Sequence, residues 1–130
     1  MNTENTSPHD RSLYQTLHDA LEQIGFHTSS RDRLDILAEE GSELTHAALK
    51  LSRILHKNLP SPVSISTAQA ELREEMADVI VCAMAAGLLQ PAPDNDGAFT
   101  AIPEVESKVR YKLLRWCNRI TADRRTEMEL

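Results

Sequence analysis

Aromatic residues and glycine are scarce in this chain of 130 residues: aromatic residues make up 4% of it, and it contains four glycines. β-Strands favour aromatic and β-branched side chains, and the tight turns of β folds use glycine. The scarcity of both argues against a β-sandwich or barrel and for helices packed through aliphatic residues. Two cysteines are too few for a disulfide scaffold, so we expect a reducing, cytoplasmic setting.

Positive charge and long apolar runs are also in short supply. The chain has 14 Lys and Arg against 20 Asp and Glu, a net charge of −6. Because a basic surface drives nucleic-acid binding through counterion release, we predict no nucleic-acid partner. The longest apolar run, residues 79–89, is too short to span a bilayer, and the polar N-terminus has no apolar signal core. We therefore predict no membrane association.

The spacing of apolar residues predicts four helices with short connections, which is the pattern of an all-α protein with an antiparallel four-helix bundle as its protomer. Helix signals place them at residues 11–24 (ended by Gly25), 30 or 32 to 58, 67–89 (begun by a capping box of Ser66 and Gln69) and 103–123. The segments between the last three helices, residues 59–66 and 90–102, are expected to be loops. The predicted organisation is a flexible leader at 1–9, one all-α domain at 10–123 and a polar tail at 124–130.

Two features of these helices depart from a simple amphipathic pattern. The second half of the third helix, from residue 79, is apolar on all sides, which indicates burial at the centre of the bundle or in a subunit interface. Gly41 lies inside the second helix, where glycine costs about 1 kcal/mol relative to alanine. Close packing or a function at Gly41 would explain this cost, and simple tolerance is the alternative.

The same acidic pattern occurs in two of the predicted helices: Glu39-Glu40-Gly-Ser-Glu43 in the second and Glu74-Glu75-Met-Ala-Asp78 in the third. At about 100° per residue, each set covers an arc of about 100° at the edge of the apolar side, with Glu71 one turn earlier. Because carboxylates at such spacings repel one another, we expect a positive charge among them.

A divalent cation would supply that charge, since Mg²⁺ prefers oxygen ligands. Two antiparallel helices that each offer two carboxylates at i and i+3 could hold one or two such ions. The natural ligand set is Glu40 and Glu43 from one helix with Glu75 and Asp78 from the other. Glu39 and Glu74 then lie beside them as outer ligands, bases or orienting groups.

A basic stripe in the fourth predicted helix complements the acidic ones. Its members are spaced four, three and four residues apart beside the apolar stripe: Lys108, Lys112, Arg115 and Arg119. One basic and two acidic ridges can enclose a single groove. Metal together with Lys and Arg is what phosphoryl transfer needs, because charge builds on phosphate oxygens in its transition state.

The acidic motifs, Glu39-Glu40-x-x-Glu43 and Glu75-x-x-Asp78, resemble the metal-binding signature of MazG-type nucleoside triphosphate pyrophosphohydrolases, members of the all-α NTP pyrophosphatase superfamily. Lys112-Leu-Leu-Arg115 resembles the basic element that follows in compact members of the family. The resemblance covers about residues 34–120 of the chain.

The resemblance implies hydrolysis of a (deoxy)nucleoside triphosphate between the α and β phosphates, which gives a nucleoside monophosphate and pyrophosphate. It further implies that Mg²⁺, which Mn²⁺ can replace, is bound by Glu40, Glu43, Glu75 and Asp78. Lys112 and Arg115 would contact the triphosphate, and Glu39 or Glu74 could accept a proton from the attacking water. Family members form dimers or tetramers, so we expect a homodimer or homotetramer.

Two other interpretations of the motifs remain open. Glu43-Leu-Thr-His46 has the Glu-x-x-His spacing of di-iron carboxylate bundles, although the second motif ends in Asp78. Alternatively, the protein is not an enzyme, and its acidic ridges bind a basic partner as part of a helical adaptor or regulator.

Overall fold

The computed structural model describes residues 12–56, 63–93 and 98–129, and 82% of these residues are helical, which confirms the all-α class. The elements, in order, are α1 (Leu13–His27), α2 (Ser30–Leu55), α3 (Ile65–Ala85), β1 (Leu89–Pro91), β2 (Phe99–Ala101) and α4 (Pro103–Glu129). The chain divides after Thr100 into two compact units, of which the second contains α4. Within the described ranges, no helix has the length and apolar character needed to cross a membrane.

Serine hydroxyls cap the first two helices. The Ser12 hydroxyl accepts a hydrogen bond from the backbone N–H of Gln15 at 3.2 Å and so begins α1. At α2, Ser29 Oγ accepts from the Asp32 N–H, and Asp32 Oδ2 accepts from the Ser29 N–H, both at 3.1 Å. This reciprocal capping box explains why α2 begins at Ser30.

The start of α3 differs from the sequence prediction. Ser64, and not Ser66, is the capping residue, because the extended backbone of Ser64 directs its hydroxyl to the N–H of Thr67 at 3.2 Å. Ser66 already lies in the first helical turn. The predicted capping box at Ser66 and Gln69 is therefore wrong, although the helix is present.

Two helix ends also differ from the prediction, and glycine conformation explains both. Gly25 lies within α1, which continues to His27, so the predicted stop at Gly25 is wrong. Gly87 has a positive φ of 78° and ends α3. The N–H groups of Gly87 and Leu88 donate to the carbonyls of Met84 and Ala83 at 3.0 and 2.9 Å. This Schellman motif ends the helix at Ala85, and not at the predicted residue 89.

Part of the loop predicted for residues 90–102 instead forms strands, since β1 and β2 pair in a two-stranded sheet, and residues 94–97 lie outside the described ranges. α4 begins at Pro103 as predicted but extends to Glu129, through most of the segment expected to be a polar tail. Residues 124–129 contain no glycine or proline, and most are good helix formers, so the helix has no local reason to stop at 123. The predicted leader, residues 1–9, and residues 59–62 lie outside the described ranges.

In the first unit, α2 and α3 form the most extensive contact, and α1 packs against α3 and β1. Two small residues, Ala47 and Ala68, are the buried apolar residues of the described chain, with 7% and 1% of their surface exposed. Val81, in the all-round apolar half of α3, stays 53% exposed. Burial of that half at the centre of this unit is therefore not observed, and a subunit interface remains the open alternative.

The three glycines in the described ranges should respond to alanine in opposite directions. At Gly25 and Gly41 an added Cβ would meet no atom within 4 Å, which shows that close packing does not explain Gly41. Gly25→Ala and Gly41→Ala should each raise the free energy of unfolding by up to about 1 kcal/mol, because alanine favours helix. Gly87→Ala should lower it by about 1–2 kcal/mol, because its positive φ penalises a side chain.

Urea denaturation of the three variants measures these differences. A loss of stability in Gly41→Ala alone would show that Gly41 is required for a contact that the other helical glycine does not make.

Candidate functional site

The antiparallel packing of α2 and α3 brings carboxylates from both helices to one point. One side-chain oxygen each of Glu40, Glu43 and Glu75 lies within 4.8 Å of the other two. Glu40 and Glu43 are one turn apart on α2, and Glu75 faces them from α3. The structure therefore brings together three of the four predicted metal ligands, and we refer to these three as the carboxylate cluster.

Two oxygens of the carboxylate cluster are buried without a hydrogen-bond partner. They are Glu40 Oε2 and Glu75 Oε2, one from each helix. Across the part of the chain that the structure describes, no Lys, Arg or His forms an ion pair with the cluster. Because a buried polar atom without a partner loses its hydration and gains nothing in exchange, this arrangement is unfavourable for ionised carboxylates unless a cation joins them or a proton is shared with Glu43.

The pKa values of Glu40 and Glu75 also indicate that negative charge in the cluster is unfavourable. Burial raises the pKa of Glu40 above its ordinary value, and the nearby charges of Glu43 and Asp78 raise it further. The pKa of Glu75 is raised by the same causes in the same order: burial, then Glu43, then Asp78. The ionised forms of both residues are thus disfavoured, which is the opposite of what a stabilised carboxylate network would show.

The fourth predicted ligand, Asp78, lies at the edge of the cluster. It is exposed and outside the group of three, yet it is close enough to raise the pKa of the two half-buried glutamates, Glu40 and Glu75. Cys82, one turn further along α3, is partly buried beside it. Burial raises the pKa of the Cys82 thiol, followed by the charges of Glu40 and Asp78. Cys82 therefore borders the cluster.

The two predicted bases occupy exposed positions beside the cluster. Glu74 contributes to the raised pKa of Glu75, so its charge acts on the cluster. Glu39 precedes Glu40 on α2. Both stay predictions as proton acceptors.

A groove continues from the cluster along the same two helices, with a volume of about 250 Å³. Its lining residues are Glu43, His46, Ala47, Lys50, Glu71 and Glu75. At its far end Lys50 Nζ lies 2.8 Å from Glu71 Oε2, which joins α2 to α3. Glu71, which the sequence placed on the acidic ridge of α3, is thus neutralised by a lysine, unlike the carboxylates of the cluster.

Lys50 was missed by the sequence interpretation, although a signal was present. It follows Glu43 by seven residues, and seven residues of helix return to within about 20° of the same direction. His46 lies between them and lines the same groove, but it is not part of the three-carboxylate cluster. A helical projection of α2 from Glu43 onward would have shown that the lysine shares its face.

The predicted phosphate-binding residues, Lys112 and Arg115, lie on α4, in the second unit. The Arg115 guanidinium lies over the Tyr111 ring, 5.7 Å from its centroid. It also lines a surface depression on α4 together with Leu114, Asn118 and Arg119. Their contact with a triphosphate stays a prediction.

The donor set of the cluster fits a hard divalent cation. Carboxylate oxygens are the ligands that Mg²⁺ and Mn²⁺ take, and the exposed side of Glu43 leaves room for water and substrate oxygens. A second group of possible metal ligands on α1, formed by His18, Asp19 and Glu22, makes a useful contrast. There Asp19 Oδ1 accepts a hydrogen bond from Gln15 at 2.9 Å. That group shows no buried carboxylate oxygen without a partner, whereas the cluster has two.

Comparisons with protein-family models, with characterised proteins and with solved structures found no match.

The raised pKa of Glu40 predicts how Glu40→Gln changes stability with pH in the absence of metal. A folded pKa above the unfolded one means that the folded state binds more protons in the interval between them, so stability falls as pH rises through that interval. Glutamine removes this loss. The variant should therefore match the wild type near pH 4, below the ordinary value of 4.5, and exceed its melting temperature increasingly towards pH 7.

Thermal melts from pH 4 to pH 8 in EDTA measure the difference, with Glu39→Gln as the control for loss of one exposed charge on the same helix. A difference between Glu40→Gln and wild type that shrinks as pH rises would contradict the burial of this carboxylate.

Proposed function

We propose that this protein is a Mg²⁺-dependent nucleoside triphosphate pyrophosphohydrolase. Its reaction would cleave a (deoxy)nucleoside triphosphate between the α and β phosphates and release a nucleoside monophosphate and pyrophosphate. The observation that carries the proposal is the pair of buried, unpartnered oxygens, Glu40 Oε2 and Glu75 Oε2, inside a carboxylate cluster shared by two helices. The resemblance of the acidic motifs to those of MazG-type enzymes supports the reaction class.

The metal ligands in this proposal are Glu40, Glu43, Glu75 and Asp78. The first three already lie within reach of a common point, and Asp78 is one turn from Glu75 on the same helix. When bound, Mg²⁺, or Mn²⁺ in its place, would neutralise the carboxylates and polarise phosphate oxygens of the substrate.

The remaining roles fall to side chains around the cluster. Glu39 or Glu74 would accept the proton of the water that attacks the α phosphorus, since both are exposed carboxylates adjacent to a ligand. Lys112 and Arg115 would neutralise the charge that develops on the leaving pyrophosphate. Phosphoryl transfer needs this combination of carboxylate-held metal and cationic side chains because its transition state concentrates charge on oxygen.

We propose an antiparallel four-helix bundle as the protomer of a homodimer or homotetramer. Exposed apolar residues support this arrangement, because Val81 on α3 and Leu113 and Trp116 on α4 are all more than half exposed, and packing within a bundle or between subunits would cover them. Both described cysteines, Cys82 and Cys117, carry free thiols, as expected in the cytoplasm that we propose as its compartment.

Glu43→Gln and Asp78→Asn should each reduce the release of pyrophosphate from nucleoside triphosphates by about a hundredfold. Each removes a charge that holds the metal, and even the outer-shell partners of metal ligands are worth about 10–100-fold. The assay screens the common and damaged (d)NTPs with Mg²⁺ and measures pyrophosphate, with helicity checked by circular dichroism. Glu22→Gln, which removes a carboxylate from the group on α1, is the matched control and should retain full activity.

Full turnover in both cluster variants would contradict the assignment. A wild-type protein that gains no melting temperature from millimolar Mg²⁺ with a non-hydrolysable nucleotide would instead favour an adaptor. Bound iron with oxidase activity would favour a di-iron bundle.

Val81→Asp should shift the assembly towards monomer and raise the dissociation constant at least tenfold, because it places a charge in a proposed interface. Light scattering after size-exclusion chromatography measures the mass. Gln69→Asp, at an exposed polar position on the same helix, is the control and should leave the mass unchanged. A wild-type protein that is monomeric at high micromolar concentration would exclude the proposed oligomer.

A further inference from the structure

We propose that Lys50 binds the phosphate end of a polyphosphate ligand and that Glu71 competes with that ligand for its ammonium group. The identity of the ligand as a polyphosphate anion rests on the proposed function. The role of Lys50 as an anion-binding residue rests on its own geometry in the groove between α2 and α3.

The position of Lys50 is the first part of the argument. The groove of about 250 Å³ has the carboxylate cluster at one end and the Lys50 ammonium at the other. Glu43 and Lys50 are seven residues apart on one face of α2, which is a rise of about 10.5 Å. Buried Ala47 lies between them and leaves the groove open, because its side chain is small. A ligand that touches metal at the cluster can therefore extend along the groove towards Lys50.

The second part is that the Lys50–Glu71 pair can exchange partners. The two side chains are 40% and 42% exposed, and ion pairs with such exposure contribute little to stability, because solvent screens them. The Lys50 ammonium has three N–H donors, and one of them is engaged by Glu71 at 2.8 Å. A phosphate oxygen can thus take a further donor, or replace Glu71, at little cost.

The third part is charge balance within the groove. Glu43 and Glu75 line it at one end and Glu71 at the other, against the single ammonium of Lys50. Such a groove repels a polyphosphate until a divalent cation occupies the cluster. Even then Glu71 cancels Lys50, so removal of the Glu71 charge should favour the anion. If the pair served only to hold the two helices together, loss of either residue would lower the stability equally, and loss of the Glu71 charge would not favour anion binding.

The test is calorimetric titration of pyrophosphate into the full chain in millimolar Mg²⁺, so that it does not depend on turnover. Lys50→Gln should weaken pyrophosphate binding about tenfold, the loss expected for one charge-assisted hydrogen bond. Lys50→Arg should restore most of it, and Glu71→Gln should bind pyrophosphate at least as tightly as wild type. Arg53→Gln, which removes one exposed charge one turn further along α2, is the matched control and should not change the affinity.

Melting temperatures and Mg²⁺ titrations of each variant separate binding from folding. If Lys50→Gln and Glu71→Gln both lose melting temperature while their affinity for pyrophosphate equals that of Arg53→Gln, the pair is a clamp and the inference is wrong. If the wild type turns over triphosphates and Lys50→Gln changes neither KM nor pyrophosphate affinity, the inference fails and the proposed function stands. If the wild type hydrolyses no triphosphate but binds Mg²⁺-pyrophosphate through Lys50, the proposed function fails and the inference stands.

Discussion

The packing of α2 against α3 forces carboxylates from both helices together, and their mutual repulsion is the main constraint on the first unit of this protein. Ala47 and Ala68 let α2 and α3 approach closely, and that approach brings Glu40, Glu43 and Glu75 together. The helices gain contact area, while Glu40 and Glu75 each have one oxygen that loses solvent without gaining a hydrogen-bond partner. A bound cation would remove this conflict and would convert a cost in stability into a binding site. Stability and metal affinity are therefore expected to be coupled at the same few atoms.

Two glutamates that line the groove one helical turn apart have opposite electrostatic surroundings. Glu71 and Glu75 lie four residues apart on α3, and both face α2. Glu71 meets Lys50 and is neutralised, whereas Glu75 meets two further carboxylates. The carboxylates at one end of the groove suit a divalent cation, and the ammonium of Lys50 at the other end suits an anion. A phosphate chain that carries a divalent cation at one end would match both.

Helical periodicity was sufficient to predict the all-α class. It also placed Glu40 and Glu43 on one face of the second helix and Glu75 on the third helix. It could not identify the partner of each acid, since that depends on the register between α2 and α3. By periodicity alone, Glu71 and Glu75 lie on the same face of the third helix. The register between α2 and α3 decides that Glu71 meets a lysine and Glu75 meets carboxylates. Two helix ends were predicted wrongly for a local reason. Gly25 and Gly87 are both glycines, but of the two only Gly87 has the positive φ that ends a helix. The pairing of β1 with β2 had no sequence signal, because each strand contains three residues.

A crystal structure of the protein grown with Mn²⁺ tests the central claim most directly, because anomalous scattering locates the ion without assumptions about its ligands. The account predicts an anomalous peak between Glu40 Oε2 and Glu75 Oε2, with Glu43 among its ligands. An empty cluster, with Mn²⁺ bound instead by His18, Asp19 and Glu22 on α1 or nowhere, would contradict it.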